Sequence, residues 1–287
     1  MPKRDSRILK QPFSFHSRML AMEKKRKLII ADCDGTLLSS SHTLSQEAIS
    51  YISSLKERGI LFVLSSGRPP RSMLPYYEVL GLDTPLISYN GGLVYSPRQE
   101  SFPMKKHAFC RDDVLKIYAK ADSFLLGFQA EEGDNLYCLE EDPSLDSYFW
   151  KKGMNLIKGE PKKTLANDPY SVVFKCARQD DTKLEAIVNE FPPLRWRHWT
   201  GSLFSELYYE EANKGNGLRA IMDYYGIRKE DCYAFGDSLN DKEMLLLSGH
   251  PFVMKNSKSE ALKEEFQTTR FTNDEDGVLK ELVAIFA

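Results

Sequence analysis

The sequence predicts an α/β fold: a doubly wound, Rossmann-like parallel sheet core with an inserted α+β cap. Three observations lead to it. Short apolar runs alternate with helical patterns over residues 27–92 and again over 207–287. The block between them, 93–206, carries longer strand-like runs with helices beside them. Polar clusters stand where the apolar runs of the core end, which is where open parallel sheets bind ligands.

The elements follow in order. LIIA, residues 28–31, is a short apolar strand running into Asp32 and Asp34. HTLSQEAISYISSLKERG then places Leu44, Ala48, Ile49, Ile52 and Leu55 at helical spacing, with Thr43 and Gln46 suited to a capping box and Gly59 to the stop. ILFVL (60–64) is the next strand, SSGRPP a loop, and Pro69-Pro70 opens a helix. TPLISYNGG (84–92) is a third strand ending in a glycine-rich turn. This order requires parallel pairing through right-handed crossovers. In the insert, SFLLGFQA, NLYCLE and SVVFKCA read as strands, and RDDVLKIYAKA and DTKLEAIVNEF as helices. Beyond it, GNGLRAIMDYYGI is helical, DCYAF a strand and NDKEMLLLSG a helix; PFVM, SKSEALKEEF, TTRF and DGVLKELVAIFA continue the alternation. Residues 1–26 are basic and aperiodic, lack the features of a secretory signal, and are set apart as a disordered extension.

Composition narrows the partners. With 42% apolar and 28% charged residues and a net charge of -2, the 287-residue chain has no electrostatic bias toward nucleic acid or a membrane surface. No apolar run approaches the roughly 20 residues of a membrane helix. Cys33, Cys110, Cys138, Cys176 and Cys232 are odd in number and dispersed, which fits reduced, buried thiols in a cytoplasmic protein and argues against a zinc site.

The strand ends carry the chemistry: Asp32 and Asp34; Ser66-Gly67-Arg68; Asn90-Gly91-Gly92; and GDSLND, which contains Asp237, Asn240 and Asp241. Alternate strand residues point the same way, so Asp32 and Asp34 can address one site. Three or four carboxylates cannot all stay ionised together without a cation, and hard oxygen donors suit Mg²⁺. Ser66 offers a hydroxyl, Gly67 an accessible N–H and Lys214 a positive charge, all suited to a phosphoryl group. A carboxylate nucleophile splits hydrolysis into two displacements, and a second carboxylate two residues on can protonate the leaving oxygen and then deprotonate water.

DCDGTLL, SSGR, NKGNGL and GDSLND, in this order, resemble the four motifs of the haloacid dehalogenase superfamily of phosphatases. The insert between the second and third motifs, with NGG (90–92) and DGV (276–278), resembles the Cof-type branch, which has a large sheet-containing cap. The resemblance implies Asp32 as nucleophile and Mg²⁺ ligand, and Asp34 as general acid/base that also gives the metal its backbone carbonyl. It implies Asp237 as a further ligand and Asp241 as one acting at second hand or through water. Ser66, Gly67, Lys214 and Asn240 would hold phosphate, with Cys33 contributing only its backbone N–H.

Blander readings stand beside these. Asp237 and Ser238 could merely cap the following helix. Asn90 could serve a left-handed turn or touch substrate, and Arg68 could bind an anionic substrate or pair with a carboxylate. RWRHWTGS (195–202) could be a half-exposed strand or a stacking platform, and His198 lacks a second histidine at metal-ligand spacing. The expected function is an Mg²⁺-dependent phosphatase acting on a small phosphorylated metabolite, working as a monomer or weak homo-oligomer. A sugar phosphomutase, with Lys105-Lys106 or Lys151-Lys152 as a second phosphate site, and a non-catalytic phosphate-binding or signalling protein are the alternatives.

Overall fold

Two sheets organise the chain in a computed structural model that describes residues 26–145, 153–199 and 201–287. The strands are β1 (Lys27–Asp32), β2 (Ile60–Ser65), β3 (Leu86–Ser88), β4 (Leu93–Tyr95), β5 (Lys105–Lys106), β6 (Leu125–Glu132), β7 (Asn135–Cys138), β8 (Asn155–Lys158), β9 (Ser171–Cys176), β10 (Arg195–His198), β11 (Phe204–Tyr208), β12 (Cys232–Gly236), β13 (His250–Val253) and β14 (Gln267–Thr268). The first sheet runs β14-β13-β12-β1-β2-β3-β4-β5 and the second β10-β11-β9-β6-β7-β8.

In the first sheet every pair from β14 to β3 is parallel. β1 lies at its centre, flanked by β12 and β2, and is apolar along its length because both faces are covered. Ile29 and Ala31 join a layer with Ile52, Leu55, Met73, Tyr77 and Leu282. Leu28 and Ile30 join the opposite layer with Leu218, Ile221, Met244 and Leu262. The chain leaves β1 toward β2 on one side and returns through β12 on the other. The C-terminal ends of β1 and β12 therefore frame the topological switch point of the sheet, where a crevice opens between diverging loops.

Helix boundaries follow local chemistry, with one correction. The first helix is Gln46–Leu55, and its cap is Ser45, whose hydroxyl accepts from Ala48 N at 3.0 Å. Thr43 lies too far upstream for that role, and its hydroxyl sits 2.8 Å from that of Ser39. Gly59 ends the following turn at φ 72°, as anticipated. The helix Lys214–Tyr225 starts at Asn213, whose side chain accepts from Asn216 N at 2.8 Å, and stops at Gly226 in the left-handed region.

The seam between the sheets differs from the sequence expectation of 93 and 206. β4 and β5 add antiparallel to the first sheet, while β11 lies wholly in the second. The turn at 89–92 reverses the chain onto the edge of β3 before it leaves, so hydrogen bonding keeps 93–106 with the core. The second sheet packs one face on the helices Arg111–Ala121 and Asp181–Val188, through Val114, Ile117, Leu184 and Val188 against Phe128, Phe174 and Cys176. Its other face turns toward the switch point. Of the five free cysteines four are buried as expected, but Cys110 is exposed, because it stands just before the Arg111–Ala121 helix rather than on a core face. Residues 1–25, Lys151, Lys152 and Thr200 lie outside the described residues.

Candidate active site

The end of β1 carries a sharp turn in which Leu37 N donates to Asp32 O at 3.1 Å and Leu38 N to Cys33 O at 2.8 Å. Gly35 makes it possible: its φ is +73°, and a Cβ there would lie 2.7 Å from Asp237 Oδ2. The turn thus brings Asp32 and Asp237, 205 residues apart in sequence, into one cluster. One carboxylate oxygen each from Asp32, Asp237 and Asp241 lies within 4.8 Å of the others.

Lys214 sits beneath this cluster, fully buried at the start of its helix. Its Nζ donates to Asp32 Oδ1 at 2.5 Å and to Asp241 Oδ1 at 2.6 Å. Burial alone would push the ammonium pKa down, yet the two carboxylates hold it above the usual lysine range. Asp241 is spent structurally: its other oxygen accepts from Asp237 N at 2.9 Å and Ser238 N at 3.1 Å. Ser238 does cap the following helix, but its partner in the capping box is Asp241 rather than Asp237, and that box fixes Asp237 at the site.

The charges do not balance. Burial raises the Asp32 carboxyl above its ordinary range even though Lys214 opposes it. Burial and the neighbouring Asp241 push Asp237 up to about 6. Three carboxylates face one ammonium, all donors are hard oxygens, and among the described residues the hydroxyls on the Asp237 carboxylate, from Thr36 and Ser238, lie at 3.2 Å. That donor set fits a divalent, oxygen-preferring cation.

Asp34 faces a different way. Its carboxylate takes a fork from Arg68, with Nε at 2.6 Å from Oδ2 and Nη2 bonded to Oδ1, and His42 Nδ1 lies 3.0 Å from Oδ1. Arg68 therefore pairs with a carboxylate in this structure. Ser66 is buried, and its hydroxyl accepts from Arg68 N at 3.1 Å. Asn90 adopts φ 54°, the left-handed turn anticipated, and its side chain also accepts from Asn240 Nδ2 at 2.9 Å. Cys33 turns its thiol into the apolar core, where burial pushes its pKa up.

Asp32, Asp34, Ser66, Gly67, Arg68, Asn90, Asp237 and Asn240 all line one cavity of about 830 Å³. The second sheet roofs it, held by contacts that cross the seam: Arg71 pairs with Glu131, Tyr89 donates to Glu131 Oε1 at 3.1 Å, and Tyr89 stacks on Tyr170 with centroids 5.3 Å apart. His198 is held by Ser202 O at 2.7 Å, Ser205 Oγ at 3.2 Å and Asp181 Oδ1 at 3.4 Å, and among the described residues no set of three metal-ligand groups gathers around it. His42 and Glu131 escaped the sequence reading: His42 stands in the loop before the first helix, and Glu131 lies at the end of β6, in the insert and outside the quoted motifs. Thr36 stood in plain view inside DCDGTLL.

Residues 29–282 match the family model of haloacid dehalogenase-like hydrolases. The chain belongs to that family. Among similar haloacid dehalogenase-like hydrolases is the 5-amino-6-(5-phospho-D-ribitylamino)uracil phosphatase of Bacillus subtilis, 32% identical over 93% of this chain and 100% of that one. The HMP-PP phosphatase of Escherichia coli is 30% identical over 80% and 85%. A solved haloacid dehalogenase-like hydrolase from Bacteroides thetaiotaomicron superposes with a TM-score of 0.79 at 24% identity, covering 91% of this chain and 100% of that one. With both of the sequence relatives above named phosphatases, this haloacid dehalogenase-like hydrolase is an enzyme of the Cof-type phosphatase branch. Among the described residues, no helix is long and apolar enough to cross a membrane.

Proposed function

We propose that the chain is an Mg²⁺-dependent phosphomonoesterase working through an aspartyl-phosphate on Asp32, in the cytoplasm, on a small phosphorylated metabolite. The observation that carries this reading is the group Asp32, Asp237 and Asp241 around Lys214, set at the switch point under a roofed cavity. The phosphate group would lie against Ser66 Oγ, Gly67 N–H, Asn240 and Lys214. Asp32 attacks phosphorus as the bond to the leaving oxygen breaks, and Asp34 gives that oxygen a proton. Asp34 then takes a proton from water, which attacks phosphorus, releases phosphate and restores Asp32. Asp32, Asp237 and the carbonyl of Asp34 would hold Mg²⁺, with Asp241 behind them; the ion supplies positive charge toward the phosphoryl oxygens. The Arg68 fork fixes the position of the Asp34 carboxylate at the wall of the cavity. The second sheet covers the cavity, keeps bulk water from the phospho-enzyme and meets the leaving group.

The test is phosphate release from p-nitrophenyl phosphate and a panel of small phosphates, including 5-amino-6-(5-phospho-D-ribitylamino)uracil, ribitol 5-phosphate and sugar phosphates. Release that requires Mg²⁺ and stops with excess EDTA is expected. No release from any ester in the presence of Mg²⁺ would overturn the reading.

A second expectation concerns pH. The Asp237 pKa in the folded, metal-free protein lies above its unfolded value. Its contribution to stability is therefore complete below the unfolded value of 3.8 and is lost as pH rises through about 6. Mg²⁺ binds the deprotonated carboxylate and removes this penalty. In thermal melts, added Mg²⁺ should raise the midpoint at about pH 7.5 by at least roughly twice the shift seen at about pH 5. An equal shift at both values would contradict this account of the cluster.

A further inference from the structure

The roof of the cavity carries chemistry that phosphoryl transfer does not use. Arg197 and Glu206 are direct cross-strand partners on β10 and β11, and Arg197 Nε donates to Glu206 Oε1 at 2.5 Å. The guanidinium also lies over the Tyr208 ring, 5.0 Å from its centroid. The pairing is end-on. It engages one guanidinium nitrogen and one carboxylate oxygen, so among the described residues the terminal nitrogens of Arg197 and Oε2 of Glu206 keep capacity for a ligand. Both side chains line the 830 Å³ cavity that holds Asp32, and both line a second cavity of about 380 Å³ that shares Asn90 and Asn240 with it.

An apolar patch continues this pair. Glu206 is in register with buried Val173 on β9, and Trp199, two residues beyond Arg197, packs on Phe204 with centroids 6.0 Å apart. Val173 and Trp199 line the same cavity as Asp32. The wall opposite the carboxylate cluster therefore presents donors beside an acceptor, next to apolar and aromatic surface.

That arrangement selects a chemistry. Donors next to an acceptor are matched by a ligand edge with an acceptor next to a donor, as in the C(=O)–NH edge of a lactam ring. A charged leaving group fits less well, since an anion meets Glu206 and a cation meets Arg197. Aromatic and branched apolar surface suits the face of a flat ring.

We propose that Arg197, Glu206 and Trp199 select the leaving group of this enzyme, and that its substrates are phosphomonoesters whose leaving alcohol carries a neutral, planar heterocycle with a lactam-type edge. This rests on the phosphatase reading above and names the substrate class for that site. The three residues bind and orient the leaving group, while the reacting atoms stay with Asp32 and Asp34.

The experiment compares kcat/KM in Mg²⁺ for the ribitylaminouracil phosphate, for ribitol 5-phosphate, which lacks the ring, and for p-nitrophenyl phosphate. The unmodified enzyme should prefer the ring-bearing ester over ribitol 5-phosphate by at least about 100-fold. Glu206→Gln and Arg197→Lys should each cut that preference by at least about tenfold, because the loss on the ring-bearing ester exceeds the loss on ribitol 5-phosphate. A preference near unity in the unmodified enzyme, or equal losses on both esters in the variants, overturns the assignment. The unmodified enzyme's ratio decides the matter if a variant fails to fold. Release from p-nitrophenyl phosphate without a ring preference overturns this inference alone; no release from any ester overturns the phosphatase reading beneath it.

Discussion

Asp32→Asn is expected to lower turnover by at least about 10⁴-fold while leaving the fold intact. An amide cannot serve as the phosphoryl acceptor, yet its Oδ1 can still accept the hydrogen bond from Lys214 that the carboxylate accepts now. The direction of the stability change follows from the raised Asp32 pKa. Burial makes the charged form less favourable in the folded metal-free protein than in the unfolded chain. A neutral side chain relieves that cost, so the metal-free variant should melt at or above the temperature of the unmodified protein. With Mg²⁺ the order should reverse, since one ligand is weakened. Circular dichroism melts with and without Mg²⁺, beside initial rates of phosphate release, check both halves. Turnover within tenfold of the unmodified enzyme would remove Asp32 from the nucleophile's role.

Lys214→Met is expected to have the largest effect on stability. The methionine fills much of the same volume but leaves Asp32 and Asp241, both buried, without the ammonium they share. Breaking a buried ion pair from one side typically costs about 3–5 kcal/mol, because the surviving charge has no partner. For a chain of this size the melting midpoint should fall by roughly 10 °C. Mg²⁺ should recover part of the loss by neutralising Asp32 and Asp237, and it should not restore turnover. A melting midpoint within about 2 °C of the unmodified protein would show that the two carboxylates are not held as charges by Lys214.

Asp32 was legible locally: an apolar run that ends in a carboxylate, then another carboxylate, then Gly-Thr has few structural explanations. Lys214 was legible only through the motif around it, since a lone lysine before a helix is ordinarily solvated. The motif implies that it addresses phosphate; in the structure its ammonium is shared between Asp32 and Asp241. Arg68 remained undecided between two partners until the fold placed Asp34 within reach of its fork. Asn90 proved to be both the left-handed turn and a side-chain partner of Asn240, 150 residues away.

The specificity wall was legible only as an open choice between a half-exposed strand and a stacking platform. RWRHWTGS alternates in a way that any half-exposed strand would, and nothing in it indicates which face looks at the site. That choice is made by the register Arg197↔Glu206 and Glu206↔Val173, and by the Tyr89, Arg71 and Glu131 contacts that turn this face toward Asp32. The cap position of the first helix failed for a related reason: Thr43, Ser45 and Gln46 offer more than one capping register, and only the path of the preceding loop selects Ser45.

The sequence by itself determined the alternation of strands and helices, the central apolar strand and the carboxylates at its end, because these depend on period and on the cost of burying charge over short stretches of chain. The tertiary structure decided which distant groups meet: Asp237 against the Gly35 turn, Lys214 between two carboxylates, β4 and β5 with the core, and Arg197–Glu206 above the site. Pair energies across a cavity depend on distance and desolvation, and neither exists until strand order, register and the closure of one sheet over the other are fixed.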